Sequence, residues 1–263
     1  MSKQAKYLTD DGVKYLVEEI DKLYLKPEQL SAMTKDDIDM LFVRDANKIQ
    51  SEEGLKTLIN RGGQLDVVEN VTLENKTTRE DRIIFYQKAN VNFHSNFIEV
   101  PSAATSAEPN KNWSALYVEE GADVVFDGSE GGIRVNGSTT TNQDGPFCIT
   151  NFGGNITIKG GRYIGCGTCV YGYSGKTIIE GGYFEASPST VDGRPAQTWT
   201  LNLLNSAYQD GTASIEVRGG TFVDFDPSSP NTDDAASYVP AGYEVNSKEE
   251  NGHTVYIVVK QVK

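Results

Sequence analysis

The chain has 263 residues, and 24 basic against 37 acidic side chains give it a net charge of −13 at pH 7. This charge disfavours nucleic acid as a partner, because phosphate binding needs concentrated Lys and Arg. Hydrophobic residues make up 38% of the chain, which is too many for a disordered protein. Only Gly12 and Gly54 lie within residues 1–60, whereas the other 24 glycines lie further on. The sequence therefore divides into a glycine-poor head and a glycine-rich body.

No apolar stretch of the sequence is long enough to cross a membrane as a helix. The first residues also lack the apolar segment of a secretory signal peptide. We therefore expect no membrane partner and synthesis in a cytoplasm.

The head begins with a predicted amphipathic helix over residues 9–25. Thr9 suits the N-cap position, and Lys26-Pro27 ends the helix because the residue before a proline is pushed out of the α region. The apolar side chains of this helix recur at helical spacing, and they are Val13, Leu16, Val17, Ile20, Leu23 and Tyr24.

Two shorter helices are predicted after it, one from about Thr34 and one from Ser51 to Gly62-Gly63. Three short helices cannot bury their apolar faces alone, so they need a partner. We therefore predict that residues 1–62 form a helical head for attachment and oligomerisation. The residues predicted to make these contacts are Val13, Leu16, Val17, Ile20, Leu23, Leu41 and Phe42.

The body consists of short β-type segments separated by Gly, Asn and Asp, and it contains internal repeats. Three segments share one frame of alternating strand, Gly-Gly pair and second strand, at residues 154–165, 175–186 and 213–225, with a looser copy at 122–137. A further strand precedes each copy and starts at residues 114, 146, 168 and 198. The 22-residue spacing between two of these starts is about one coil of a parallel β-helix.

We therefore predict a mainly β fold, in which a short α-helical head precedes a right-handed parallel β-helix over residues 63–242 and a C-terminal β-hairpin cap over residues 243–263. The Gly-Gly pairs are expected at a corner of each coil, where a side chain would clash. A β-sandwich with similar Gly-Gly turns is the alternative. The predicted inward stack is Ile156, Ile158, Ile178, Ile215 and Val217, and the predicted outward residues are Thr157, Lys159, Thr177, Glu180, Glu216 and Arg218.

Acidic side chains of the body are candidates for glycan hydrolysis, which needs two carboxylates set apart across a sugar. The candidates are Asp127, Glu130, Asp144, Glu180 and Asp192. The run Asn231-Thr232-Asp233-Asp234 is superficially similar to polygalacturonase elements, but the companion Gly-His-Gly and Arg-Ile-Lys motifs are missing. We therefore expect no catalytic residues and no cofactor.

Cys166 and Cys169 have the C-x-x-C spacing of redox and zinc sites, and Cys148 is the third cysteine. A structural zinc site needs four ligands, and the two histidines, His94 and His253, lie far away in sequence. We therefore expect buried or turn cysteines and no metal.

Six aromatic residues in or beside the longer repeats are candidates for contact with a glycan or a protein partner, because aromatic faces stack on sugar rings and on protein surfaces. They are Trp113, Tyr171, Tyr173, Tyr183, Trp199 and Tyr208, of which Trp113, Tyr171, Tyr173 and Trp199 are the preferred candidates. Ordinary packing within strands is the alternative for them.

The order of a helical head and a glycine-rich β body resembles that of bacteriophage fibre and appendage proteins. The segment LTDDGVKYLVEEIDKLYL is similar in type to the opening helix of phage tail-fibre chains. The stretch GGTFVDFDPSSP, followed by AGYEV and HTVYIVV, resembles the closing module of β-helical proteins in phages of gut Bacteroides-type bacteria, including crAss-like phages.

This resemblance implies a non-enzymatic, homotrimeric head or tail fibre of the virion, assembled in the host cytoplasm. Its head would bind capsid or tail proteins, and its β body would project and contact host-surface glycan. A tailspike-type polysaccharide depolymerase and a bacterial surface adhesin are the alternative functions.

Overall fold

A computed structural model describes residues 48–73, 83–100, 114–135, 147–187, 190–191, 194–195, 198–230 and 236–262. These residues belong to one compact unit, Asn47–Lys263. The predicted helices over residues 9–25 and from Thr34, with their attachment residues Val13, Leu16, Val17, Ile20, Leu23, Leu41 and Phe42, lie outside the described residues.

The described chain is mainly β. In chain order its elements are β1 Lys48–Ile49, α1 Glu52–Arg61, β2 Gly63–Val67, β3 Val71–Thr72, β4 Ile84–Phe85, β5 Ala89–Asn92, β6 Phe97–Val100, β7 Ser114–Glu119, β8 Asp123–Asp127, β9 Gly132–Val135, β10 Phe147–Ile158, β11 Arg162–Cys166, β12 Val170–Ile179, β13 Tyr183–Ser187, β14 Thr190–Val191, β15 Arg194–Pro195, β16 Leu201–Leu203, α2 Asn205–Gln209, β17 Ala213–Val217, β18 Gly220–Val223, β19 Tyr243–Glu250 and β20 His253–Lys260.

Apart from β14 and β15, which form a small antiparallel ladder, the described strands lie in three rows. Row 1 runs β4, β7, β10, β12, β16, and its pairs are parallel. Row 2 runs β1, β2, β5, β8, β10, β12, β17, and its pairs are parallel too. Row 3 runs β3, β6, β9, β11, β13, β18 in parallel and ends with the antiparallel strands β20 and β19.

From β2 onward, these strands follow a fixed order from row 2 to row 3 to row 1, and the chain then returns to row 2 one strand further along. The first two strands, β1 and β2, both lie in row 2. Strands β10 and β12 are long enough to pass through two rows: Phe147–Gly153 of β10 pairs with β7, whereas Asn155–Ile158 pairs with β8. Rows 1 and 2 therefore belong to one curled sheet, and row 3 is a second sheet.

The core lies between the rows and consists of columns of side chains from strands in register. One column of row 2 is Leu65, Val91, Phe126, Ile158, Ile179 and Val217, all buried. In row 3, Tyr163, Phe184 and Phe222 stack with ring centroids 4.9 Å apart at each step. A stack of aromatic rings in register fixes the alignment of neighbouring strands, because a one-residue slip would turn each ring to the outside.

The prediction of inward and outward side chains was wrong for one part of β12. Ile178 was predicted to face inward and Thr177 outward, but Thr177 is fully buried and pairs with Ile156 and Ile215, whereas Ile178 is half-exposed. The Thr177 hydroxyl can be buried because the side-chain amide of Asn151 donates a hydrogen bond to it over 3.2 Å.

The Gly-Gly pairs form the corner between rows 2 and 3, as the sequence predicted. The two glycines have different roles, which are clearest at Gly181 and Gly182. A β-carbon on Gly181 would overlap the carbonyl oxygen of Lys159 in the preceding repeat. Gly182 has a φ of 104°, a conformation that L side chains rarely adopt.

Helix α1 confirms the prediction for its segment. The Ser51 side chain caps the helix by accepting a hydrogen bond from the Gly54 amide over 3.1 Å, and the helix ends at Gly62. Leu55, Leu58 and Ile59 are buried and join the core of the strands.

The C-terminal hairpin predicted from the sequence is present as β19 and β20. Asn251 and Gly252 form its turn with φ values of 53° and 84°, the left-handed pair that two-residue hairpins favour. Strand β20 pairs with β18 and so covers the last parallel edge of row 3. The last strand of row 2 is covered by the loop before the hairpin, where the Val217 amide donates to the Tyr238 carbonyl over 2.8 Å.

Candidate functional site: an exposed aromatic strip on row 1

Row 1 carries aromatic side chains on its outer face. Along β12 the residues alternate, so that Val170 and Gly172 are buried and Tyr173 is 46% exposed. The Tyr173 ring lies 4.8 Å from the ring of Phe152 on β10, which in turn lies 5.8 Å from the ring of Tyr117 on β7. Tyr117 is only 1% exposed, so the outer end of this ring series is the accessible part.

Exposed aromatic rings concentrate where strands of row 1 end. Among the described residues, the large hydrophobic side chains that are most exposed, apart from the C-terminal Val262, are Tyr86 (57%), Tyr173 (46%) and Tyr208 (42%). Tyr86 follows β4, and Tyr208 lies in α2 just after β16. Phe152 is half-buried beside Tyr173.

We define the aromatic strip as Tyr86, Glu119, Phe152 and Tyr173. Glu119 is in register with Phe152, and Tyr86 directly follows Phe85, which is in register with Val118. Tyr86 therefore lies beside Glu119. Because neighbouring strands are about 4.8 Å apart, the strip places one acidic and three aromatic side chains along about 14 Å.

The strip borders a corner built from glycines. Gly121, Gly153 and Gly175 follow the ends of the row 1 segments in successive repeats, with φ values of 87°, 112° and 83°. A β-carbon on Gly175 would overlap the carbonyl oxygen of Gly154, so the corner allows close packing of successive repeats beside the rings. This second glycine corner has no constant Gly-Gly pair in the sequence, because only Gly153 is followed by another glycine.

The six aromatic residues proposed from the sequence have different positions. Tyr173 belongs to the strip, Tyr208 is exposed on α2, and the Tyr183 ring is covered by Arg162 on row 3. Tyr171 is half-buried, and its ring lies 5.3 Å from that of Phe147. Trp199 is also half-buried, and its amide donates to the Gly167 carbonyl over 2.9 Å. Trp113 lies outside the described residues.

Tyr86 and Phe152 were not singled out from the sequence. Each of these two residues faces outward near the end of a row 1 segment in which apolar residues alternate. They come together only through the register of neighbouring repeats, which one segment of sequence does not contain.

Row 3 has a different outer face, on which cations cover the aromatic rings. The Arg162 guanidinium lies 4.1 Å from the ring centre of Tyr183, and the Arg134 guanidinium lies 4.2 Å from that of Phe97. Partial burial and a 2.7 Å hydrogen bond from the Tyr183 hydroxyl to Glu185 raise the pKa of Tyr183 to about 12. These ring faces are occupied by the protein itself.

A histidine–aspartate pair holds the hairpin against the end of β18. The Nδ1 atom of His253 lies 2.6 Å from Asp224, and the same carboxylate accepts the Thr254 amide over 2.9 Å. The hydrogen bond and charge of Asp224 raise the pKa of His253. Asp224 has a φ of 53°, so the chain adopts a strained turn at this contact.

The three cysteines are free and buried, as the sequence predicted. Burial raises the pKa of the thiols of Cys148 and Cys166, which keeps them protonated and poorly nucleophilic. The C-x-x-C spacing of Cys166 and Cys169 therefore belongs to the packed turn that leads from β11 into β12.

The candidate acids are spread over the body. Asp127 accepts the Gly128 amide over 2.8 Å at the corner after β8, and Glu180 lies at the matching corner after β12. Asp144, Asp192 and the run 231–234 lie outside the described residues. Across the described ranges, no group of three or more His, Cys, Asp or Glu is arranged to hold a metal ion.

Comparisons with known proteins find no matching protein family, no matching curated protein and no matching solved structure. In the part of the chain that the structure describes, no helix has the length and apolar character to cross a membrane.

Proposed function

We propose that this chain is a structural appendage protein of a bacteriophage particle, a homotrimeric head or tail fibre that contacts host-surface glycan. In this proposal the three rows are the faces of a right-handed parallel β-helix. Residues 1–46, which carry the predicted attachment side chains, bind capsid or tail proteins and bring three copies together, whereas α1 belongs to the β body.

The pairing of the strands supports the β-helix. The inner parallel strands of each row pair with the strand before and the strand after them in that row, and from β2 onward the chain passes through the rows in a constant order. Such a stack satisfies the backbone hydrogen bonds of each repeat through its neighbours and is stiff along its axis. A stiff, regularly built body suits a projecting element.

The β19–β20 hairpin supports the proposal that the C-terminal end of the body is the end far from the particle. The hairpin pairs with β18, and the outer strand β19 carries Glu244, Lys248, Glu249 and Glu250. Charged residues on an edge strand oppose edge-to-edge pairing with other chains. Such an end is suited to face solvent, which leaves the N-terminal side for attachment.

The aromatic strip is the observation that carries the contact with a glycan. Its rings are exposed although the protein has other ways to cover aromatic faces, as Arg134 and Arg162 show on row 3. Exposed aromatic faces beside a carboxylate offer both the stacking and the hydrogen-bond acceptors that a sugar needs.

Labelling of purified phage particles with gold-conjugated antibodies to this chain tests the proposed role. We expect label at discrete positions on the particle, and no release of sugar when the isolated protein is incubated with host capsule. Release of sugar would favour the depolymerase. Label on the bacterial surface and none on particles would favour the adhesin, and either result would overturn the proposal.

A further inference from the structure

We propose that the aromatic strip binds a neutral polysaccharide, stacked on Tyr86 and Tyr173 with its hydroxyl groups donating to Glu119. This inference rests on the proposed function and narrows it from host glycan in general to glycan without charged groups.

The stacking surface is formed by two exposed rings, Tyr173 and Tyr86. Phe152 packs between Tyr117 and Tyr173, with ring centroids 5.8 and 4.8 Å away, and so supports one face of Tyr173. Continuing the register of β4 with β7 by one residue places Tyr86 on the far side of Glu119. A sugar ring has an apolar face of C–H groups that fits such a surface, whereas a folded protein partner needs a larger area than one strip.

The polar groups at the strip determine the class of glycan. Glu119 ends β7 in register with Phe152, Glu120 follows in the turn, and Asp123 begins β8 after the Gly121 corner. The Lys88 ammonium lies 3.9 Å from the Asp123 carboxylate, so this cation already faces an acid. A carboxylate only accepts hydrogen bonds, and it therefore selects a ligand that donates them.

The negative charge around the strip disfavours acidic polysaccharides. An acidic polysaccharide would bring carboxylates or sulfates next to Glu119 and Glu120, on a chain whose net charge is −13. Like charges that approach across an interface cost binding free energy. Hydroxyl groups of a neutral sugar meet no such repulsion and can donate to the same carboxylates.

The length of the strip fits a chain of sugars. Tyr86 and Tyr173 are separated by three strand spacings, or about 14 Å. This span is long enough for one polymer to reach both exposed rings and the carboxylate between them.

Affinity electrophoresis of the full chain tests this inference, in native gels that contain dextran, yeast mannan or polygalacturonate. We expect at least one of the two neutral polymers to retard the wild-type chain, and polygalacturonate to leave its mobility unchanged. The variants Tyr173→Ala and Tyr86→Ala should each bind about three- to tenfold more weakly, because each removes one stacking ring. Tyr173→Phe keeps the ring and should bind like the wild type.

Tyr183→Ala is the matched control, because Tyr183 is an outward tyrosine of row 3 whose ring face is covered by Arg162. It should leave binding unchanged. Circular dichroism of each variant separates lost binding from lost folding.

Stronger retardation by polygalacturonate than by the neutral polymers would overturn the inference, and so would no retardation at all. If the Tyr173→Ala and Tyr86→Ala variants both still bind the neutral polymer like the wild type, the aromatic strip is not the binding site. The labelling of particles does not depend on these outcomes, so failure of the inference and failure of the proposed function are distinguishable.

Discussion

The aromatic stack in the core allows a quantitative test of the register between repeats. Phe184 is fully buried between Tyr163 and Phe222, each 4.9 Å away. Phe184→Ala should lower the free energy of unfolding by about 3–5 kcal/mol, because it leaves a cavity as well as removing apolar contacts. Phe184→Leu keeps most of the volume and loses two ring contacts, so it should cost roughly 1–3 kcal/mol.

A double-mutant cycle isolates the stacking contribution. Phe184→Leu and Phe222→Leu should be coupled by about 0.5–1.5 kcal/mol, since the second substitution loses a ring contact that the first has already removed. Phe85→Leu is the control, because Phe85 lies in row 1 three repeats earlier and contacts Phe126 instead. Its effect should add to that of Phe184→Leu within about 0.5 kcal/mol.

Urea unfolding followed by circular dichroism measures all of these free energies. Additive effects of Phe184→Leu and Phe222→Leu would show that the ring stack does not stabilise the register. Coupling between Phe85→Leu and Phe184→Leu that is as strong as that of the stacked pair would show the same.

Three further substitutions test other contacts. Gly182→Ala should lower the free energy of unfolding by more than about 1 kcal/mol in urea, because the φ of 104° disfavours a β-carbon, and an unchanged value would contradict that role. Asn151→Ala should cost about 3 kcal/mol or more in the same assay, since the amides of Gly153 and Gly154 lose their acceptor. Asp224 raises the pKa of His253, so this pair stabilises the fold fully below the usual histidine pKa and loses its effect as the pH rises through the raised value. The thermal midpoint of the wild type relative to His253→Gln should therefore fall as the pH rises from about 6 to 9, and a constant difference would contradict the pairing.

The repeating corner and the hairpin could be predicted from the sequence because both depend on local backbone requirements. A Gly-Gly pair after an alternating strand is readable in one segment, and Asn251-Gly252 is a short-range hairpin signal. The helix at Glu52–Arg61 was predictable for the same reason, since Ser51 and Gly62 mark its ends.

Features that depend on neighbouring repeats could not be predicted. Thr177 faces inward because Asn151, one repeat earlier, supplies its hydrogen bond, and a polar residue therefore occupies a core position. The passage of β10 through two rows, and the short helix α2 in place of a continued strand after Leu203, also follow from packing between repeats.

The candidate site also depends on neighbouring repeats. Tyr173 could be proposed from the sequence, but Tyr86 and Phe152 join it only through the register of β4, β7, β10 and β12. The exposed surface is thus a property of stacked repeats and not of one motif.

Cryo-electron microscopy of purified phage particles that encode this chain tests the central proposal most directly. We expect a threefold-symmetric projection that contains three copies of the chain, with residues 1–46 at the particle and the β19–β20 hairpin at the far end. Particles without density for this chain, or density in which the hairpin contacts the capsid or tail, would contradict it.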